Sequence, residues 1–449
     1  MRKEKRTRII LVSVMLSLLL LAYLVPYYYH IILFPRTIGL PVGQSQDFNF
    51  NLPLPAKVRL LKGTGLRLNQ SWLTSNPIEI NLSHPLTLET ANIGQSEVEF
   101  SLFGIPWRRV LVHAKMPDKV MPGGHAVGVL LTSKGIIVVG FDHIVNSQTN
   151  SSVSPAREAG IQPGDLILEA DDTSLLTVSD LVRVVNQAGQ EGRMLTIKLK
   201  RGEETRTTQL QPMLASDGTF RIGLYVRDGA NGVGTMSFYD PDNGWFGALG
   251  HIVTDVDTGI TLNIRQGSVV KALISSINAG VRGQPGEKIG VFQPGEGNLG
   301  TIEANTEFGI FGQLDKPLEN PYFQESIPVA LAGEVHVGTA EMYTVLERDR
   351  IEKFEVEIER VMNQFTPTDK GMVLRITDQR MLEKAGGIVQ GMSGSPIVQN
   401  GKLVGVVTHV FVNDPSRGFG IMAEWMIDKG NKVQQGAERP LKFSDVLPI

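Results

Sequence analysis

Read for the spacing of its apolar side chains, the chain divides into stretches of different period. An apolar stretch, Ile9 to Val25, follows a basic tip that sets Arg2, Lys3, Lys5, Arg6 and Arg8 against Glu4. The run is long enough to span a bilayer, with Tyr27, Tyr28 and Tyr29 as an interfacial belt. Positive charge keeps residues 1–8 in the cytosol, so the pattern predicts a transmembrane signal anchor over 9–34 and export of the rest. A cleaved signal peptide is the rival reading, although Leu24-Val25-Pro26 is a poor small-residue cleavage site.

Beyond Arg36 the period becomes two. Phe48-Asn49-Phe50, Ile78 to Leu82, Leu86-Thr87-Leu88 and Val98-Glu99-Phe100 alternate, and Pro, Asn, Gly and Ser separate them. Short strands at this spacing predict a small β-sandwich over 36–112. It holds no chemical constellation, and His84 and His113 read as polar surface or satisfied residues.

The next block mixes periods. Ser154-Pro155-Ala156-Arg157-Glu158-Ala159-Gly160 reads as a short helix with a glycine stop, Pro163-Gly164-Asp165 as a turn, and Leu166-Ile167-Leu168 as a strand. Val178 to Ala188 has a helical period. This pattern resembles the PDZ domains attached to bacterial proteases and sets an α+β unit at 115–212. The likeness implies that Ala126, Val127, Gly128 and Val129 are the loop and strand receiving a peptide C-terminus, with Leu181 and Val185 lining the groove. A peptide ligand would add there as a β-strand.

From about Ser216 the chain is glycine-rich and β-like without a long helical period, which suits two packed barrels over 216–445 better than an α/β hydrolase. The fold class is therefore mainly β and multidomain. Length fits this, since 449 residues exceed one ordinary domain. The net charge of −3 supplies no basic field for nucleic acid. Cysteine is absent, which removes disulfides, thiolate nucleophiles and thiolate metal sites. No His-Glu-x-x-His pair occurs, so a metalloprotease is disfavoured and no cofactor or metal is expected.

Candidate chemistry centres on Gly391-Met392-Ser393-Gly394-Ser395-Pro396. Flanking glycines let the backbone turn so that the amides of Gly391 and Ser393 converge as an oxyanion hole while the hydroxyl stays exposed. The plain alternative is a Gly/Ser turn between two strands. Ser395, before a proline, is the rival hydroxyl. Among histidines that could take the Ser393 proton, His251 follows Gly247-Ala248-Leu249-Gly250 and precedes an apolar strand. His336, in the alternating Glu334 to Val337, and His409, within the apolar run 403–411, are the others. For the carboxylate, Asp255, Asp257, Asp315 and Asp378 are available. Spacing does not separate Asp378 from Asp255, and Asp378 could equally cap the short helix ending at Gly386-Gly387.

An anchored chain with a small β-domain, a PDZ-like unit, then Gly-Ala-Leu-Gly-His251 and Gly-Ile-Val-Gln-Gly-Met-Ser393-Gly-Ser-Pro is similar to the SpoIVB peptidase family of endospore-forming bacteria. The resemblance implies a chymotrypsin-like double β-barrel with His251, Asp378 and Ser393 as triad, and so promotes Asp378. It also implies a timed, limited cut rather than digestion, made from the forespore membrane in the intermembrane space, together with self-cleavage. Its substrate would be a membrane-bound regulator of an intramembrane metalloprotease that processes pro-sigma-K. The segment 417–421 would wall the substrate pocket by analogy with barrel proteases. Two other readings stand beside this one: a non-catalytic PDZ adaptor, and an HtrA-like quality-control protease, in which the PDZ normally follows the protease.

Overall fold

The computed structural model describes Met15 and residues 37–436, apart from 44, 49, 51–53, 117, 146–151, 293–296 and 363–366. Apart from Met15, the expected basic tip and membrane anchor lie outside the described residues. Among those described, no helix is long and apolar enough to cross a membrane.

Alternation in the first domain produces a two-layer sandwich. One sheet takes the strands Thr37–Pro41, Ile105–Lys115, Gly94–Leu102, Pro55–Lys62 and Ile78–Asn81 in that spatial order, and the facing sheet takes Ser45–Phe48, Leu86–Thr90, Leu66–Leu68 and Ser71–Trp72. Along Pro55–Lys62 the period of two buries Ala56 and Val58 and leaves Lys57 and Arg59 outside. Leu40, Phe50, Leu66, Leu82 and Val98 complete a dry interior. Glu99 is the buried exception. Arg59 donates to it at 2.7 Å and Arg109 at 3.3 Å, and hydrogen bonding to Arg59 above all holds its carboxyl below the usual carboxylate range.

Two long strands, Ala126–Phe141 and Leu224–Tyr239, organise the first barrel and the PDZ-like unit together. The first half of Ala126–Phe141 pairs on one edge with 264–271 and on the other with 229–235. Ile264–Asn278, Asn298–Thr306, Gly309–Leu314 and Trp245–Ala248 continue the pairing around to Leu224–Tyr239, which closes a six-stranded ring. Val127, Val129, Leu131, Phe246, Val269 and Ile310 fill it. A second closed barrel runs Gly338–Glu347, Arg350–Val361, Met372–Ile376, Asp414–Met422, Lys402–Phe411 and Pro396–Gln399.

The PDZ-like unit is built on the far halves of the same two long strands. Leu166–Ala170, Leu195–Arg201 and Glu204–Leu210 extend the sheet from Ile136 and Ile137, and 224–227 pair with 137–141 on the opposite edge. Local chemistry matches expectation here. Ser154 caps Pro155–Glu158, Gly160 turns out at φ 80°, and Thr177 with Asp180 forms a capping box at the head of Val178–Gln190. One boundary differs from the sequence reading. The first barrel takes a strand, 126–133, from ahead of this unit, so the unit is an insertion in that barrel rather than a domain preceding it. The cause is that 126–131 is apolar enough to be paired on both edges and buried inside a barrel.

The helix Ala423–Gln434 crosses back from the second barrel to the first. Gly430 allows that approach, because a Cβ there would meet Phe311 ring carbons at 2.9 Å and Trp245 Nε1 at 3.2 Å. Phe311 is fully buried at this seam. Phe311→Ala should destabilise the barrel pair by about 3–5 kcal/mol, read as a lower urea midpoint of tryptophan fluorescence. A shift of under a tenth of that size would mean the seam carries little of the stability.

Candidate active site

Backbone conformation places His251 at the cleft between the barrels. The strand Trp245–Ala248 ends in two left-handed residues, Leu249 at φ 71° and Gly250 at φ 74°, which turn the chain abruptly. For leucine that conformation is strained and must be held by its surroundings. A Cβ on Gly250 would lie 2.7 Å from a Val406 methyl, so the second barrel packs directly on this turn.

The Ser393 loop enters from the other side. Gly391 at φ 90° and Gly394 at φ 93° flank it, and a side chain at Gly394 would fall on Thr235 O and Leu249 N. Thr235, on the long strand 224–239, fixes the loop twice. Its N–H donates to Ser393 O at 3.0 Å and its hydroxyl donates to Gly391 O at 2.8 Å. His251, Ser393, Gly391 and His409 thereby line one cleft of about 1420 Å³.

Within the cleft His251 Nδ1 lies 2.8 Å from Ile252 O. A carbonyl can only accept, so Nδ1 carries the proton and Nε2 presents a lone pair, the tautomer a general base needs. Burial pushes the imidazole below its usual range, opposed by the Ile252 carbonyl and by the charge of Asp369. The Ser393 hydroxyl donates to Thr408 O at 2.8 Å. The amides of Gly391 and Ser393 have no hydrogen-bond acceptor among the described residues. Two free N–H groups on one sharply turned loop are the raw material of an anion site.

The carboxylates are arranged otherwise than expected. Asp378 does not line the cleft. It caps the helix Gln379–Ala385, accepting from Arg380 N at 3.0 Å and from the Arg380 guanidinium at 2.8 and 3.1 Å, and Glu355 N approaches at 3.4 Å. Those bonds, Arg380 foremost, hold its carboxyl below the usual range. The strand Met372–Ile376, four rises of about 3.3 Å or roughly 13 Å, stands between Asp378 and residues 367–369, which line the cleft. At that near end stands Asp369, whose Oδ2 is 3.8 Å from His409 Nδ1. The His409 ring in turn lies 5.1 Å from the His251 ring, centroid to centroid.

Asp255 is buried, but it serves its own turn. Thr258 N and hydroxyl donate to it at 2.9 and 2.8 Å and Arg227 at 3.1 Å, and although burial opposes ionisation these bonds keep its carboxyl low. Asp257 pairs with the same Arg227 at 2.6 Å, and Asp315 accepts from Asn298 at 3.1 Å. His336 lies outside the cleft, with its N–H and C=O bonded to the Gln399 amide, and the adjoining strand begins only at Gly338. Residues 417–421 also stay outside, where Arg417 pairs with Glu359.

A family model described as SpoIVB peptidase S55 matches residues 218–427, and a PDZ-domain model matches 129–211. The chain carries a SpoIVB peptidase S55 domain. The stretch matching the PDZ model is spliced into the first barrel, between its strands Ala126–Phe141 and Leu224–Tyr239. Putative zinc metalloproteases of Xylella fastidiosa are 31% identical over 72 residues, 16% of this chain and 16% of theirs, and one of Clostridium perfringens is 32% identical over 71 residues, 16% and 21% of the two chains. This chain thus spans about a sixth of the length of the first of these curated relatives. Among solved structures, the active form of the Rv3671c protease from M. tuberculosis is similar with a TM-score of 0.26 and 16% identity, over 47% of this chain and 78% of that one. The HtrA-type protease AlgW with decapeptide scores 0.27 at 12% identity, over 48% and 57%. The PDZ domain of an SdrC-like protein from Listeria monocytogenes scores 0.17 at 20% identity, over 21% and 90%.

The peptide groove of the PDZ unit is not where the likeness put it. Ala126, Val127, Gly128 and Val129 have partners on both edges, and a Cβ on Gly128 would meet Phe292 and Val270. A third strand has nowhere to add. The edge strand beside the S55 domain's inserted helix is Leu224 to Asp228, paired among the described residues only with Ala126–Phe141. Asp228 accepts from Val178 N at 2.9 Å at the head of the helix. Leu181 and Val185 are nearly fully buried in the core that Ile222, Leu224 and Val226 join. The legible signal was Ile222-Gly223-Leu224, a glycine turn running into an alternating strand.

Asp369→Asn should lower S55 turnover and shift the acid limb of its pH–rate profile to lower pH. The sign follows because the lost carboxylate charge raises the His251 pKa, so without it the base form persists further into acid. Asp378→Asn should leave that limb in place and cost under about 1 kcal/mol of stability, because asparagine caps a helix about as well as aspartate and only the charge pairing with exposed Arg380 is lost. An acid limb that moves only in Asp378→Asn would show that the helix cap rearranges to join the histidine.

Proposed function

We propose that the S55 domain hydrolyses peptide bonds with Ser393 as nucleophile and His251 as base, at a site the same chain tethers to a membrane and equips to hold a peptide. The observation that carries the reading is the pair of free amides, Gly391 and Ser393, on the cleft that also holds His251. Ser393 Oγ leaves the Thr408 carbonyl and attacks the substrate carbonyl carbon while His251 Nε2 takes its proton. The resulting oxyanion is bound by the two N–H groups. His251 then returns the proton to the leaving amine as the C–N bond breaks. Water, deprotonated by the same imidazole, resolves the acyl-enzyme. Asp369 favours the transient imidazolium by its charge, with His409 between it and His251.

The wider role follows the family expectation: an exported, membrane-anchored endopeptidase that makes a limited regulatory cut during endospore formation and also cleaves itself. The substrate is a membrane-bound regulator of an intramembrane metalloprotease acting on pro-sigma-K, and a peptide adds to the edge strand Leu224 to Asp228. Supporting this, one chain combines an apolar N-terminal run, a peptide-binding fold and a hydrolytic cleft.

Two results would test the catalytic reading. A fluorophosphonate should label the wild-type chain, and labelling should vanish in Ser393→Ala and in His251→Ala. Loss of Ser393 should cost on the order of a million-fold in turnover. Labelling that survives Ser393→Ala would remove the nucleophile, and a wild-type chain that never labels would favour a non-catalytic adaptor, for which the Ser393–Thr408 bond would then be the permanent arrangement.

A further inference from the structure

Beneath the Ser393 loop lies a lysine that this chemistry does not use. Lys288, on the strand Glu287–Phe292, is 5% exposed. No carboxylate is paired with it among the described residues, and burial pushes its ammonium down to about 7. An amine buried without a counter-charge is costly, so its contacts must account for its place.

Those contacts run to the loop by two routes. The main-chain N–H of Lys288 donates to Gln390 O at 2.9 Å. Its Nζ donates to Thr344 Oγ1 at 2.8 Å, and Thr344 Oγ1 lies 3.0 Å from Ser395 Oγ. Ser395 Oγ is 2.6 Å from Met392 O, which also accepts from Ser395 N at 2.9 Å. A serine hydroxyl has one proton, and the shorter contact takes it. Ser395 therefore donates to Met392 O, Thr344 to Ser395, and Lys288 to Thr344, one polarity throughout, and a neutral amine still keeps an N–H to start it. Thr344 and Ser395 are fully buried, so water does not compete along the way.

Both end points are carbonyls of particular peptide groups. Gln390 C=O shares its peptide with Gly391 N–H, and Met392 C=O shares its peptide with Ser393 N–H. In a trans peptide the two dipoles point oppositely, and the chain has no cis bond among the described residues. Tying the carbonyls back on the Lys288 side turns both amides outward into the cleft. The lysine stem also closes in under Gly391, where a Cβ would lie 3.1 Å from Lys288 Cβ. We infer that Lys288 is a positioning residue for the oxyanion site: its backbone aims the Gly391 amide, and its side chain, relayed by Thr344 and Ser395, aims and polarises the Ser393 amide. The inference rests on the serine-peptidase reading of Ser393. It also gives Ser395 a task other than nucleophile.

The test compares rates of fluorophosphonate labelling of the full chain, resolved into the maximal rate and the half-saturating probe concentration. Lys288→Met should slow the maximal rate about 10- to 100-fold, the scale of a misplaced reacting geometry, with the half-saturating concentration unchanged and the melting temperature held or raised. Thr344→Val should do the same, and Thr344→Ser, which keeps the hydroxyl, should restore the wild-type rate. If Ser393→Ala abolishes labelling while Lys288→Met and Thr344→Val label like wild type, the inference is overturned and the peptidase reading stands. If Lys288→Met fails to fold, Thr344→Val against Thr344→Ser decides alone; equal rates in that pair would overturn the relay. Labelling that persists in Ser393→Ala would instead remove the reading beneath it.

Discussion

Thr235 joins the two halves of the machine. Its N–H and hydroxyl hold the carbonyls of Ser393 and Gly391, so a strand of the first barrel fixes the loop of the second. The same strand's wall supplies the Leu249 turn that delivers His251. Ser393 and His251 therefore come from different barrels yet share one support and line one cleft. Position matters more than count here: each is a modest hydrogen bond, but both act on the few atoms whose displacement would separate the loop from the histidine.

The polar chain under the loop obeys the same rule. Each carbonyl from Gln390 to Ser393, which could otherwise turn toward the cleft and repel a developing negative charge, has a donor elsewhere: Lys288, Thr235 or Ser395. The Gly391 and Ser393 amides are left without an acceptor among the described residues. Donors arranged in this way would favour a developing negative charge over a neutral carbonyl, which gains less from the same N–H groups.

Much of this was legible in the chain. Period-two stretches gave the sandwich, caps and glycine stops gave the inserted helices, and the glycines around Ser393 announced a strained turn. What the pattern could not give was partnership. Ala126 to Val129 reads like a groove strand, but whether a strand has a free edge depends on residues a hundred or more positions later, here 229–235 and 264–271. Asp378 reads like an acid near a serine; the residue two positions on, Arg380, claims it. Asp369 sits in an ordinary polar turn, and only closure of the second barrel sets it beside His409, which itself looked like core because its neighbours are apolar.

The strand Leu224–Tyr239 runs from the open edge of the PDZ-like unit at one end to Thr235 and the Ser393 loop toward the other. No linker separates the PDZ-like unit from the first barrel. Excising the unit at its borders would therefore cut two strands of the first barrel. Mechanically, the open edge at 224–227 and Thr235, which holds the Ser393 loop, lie on one β-ribbon that Ala126–Phe141 backs along its length, so a distortion at either end must strain the same pair of strands.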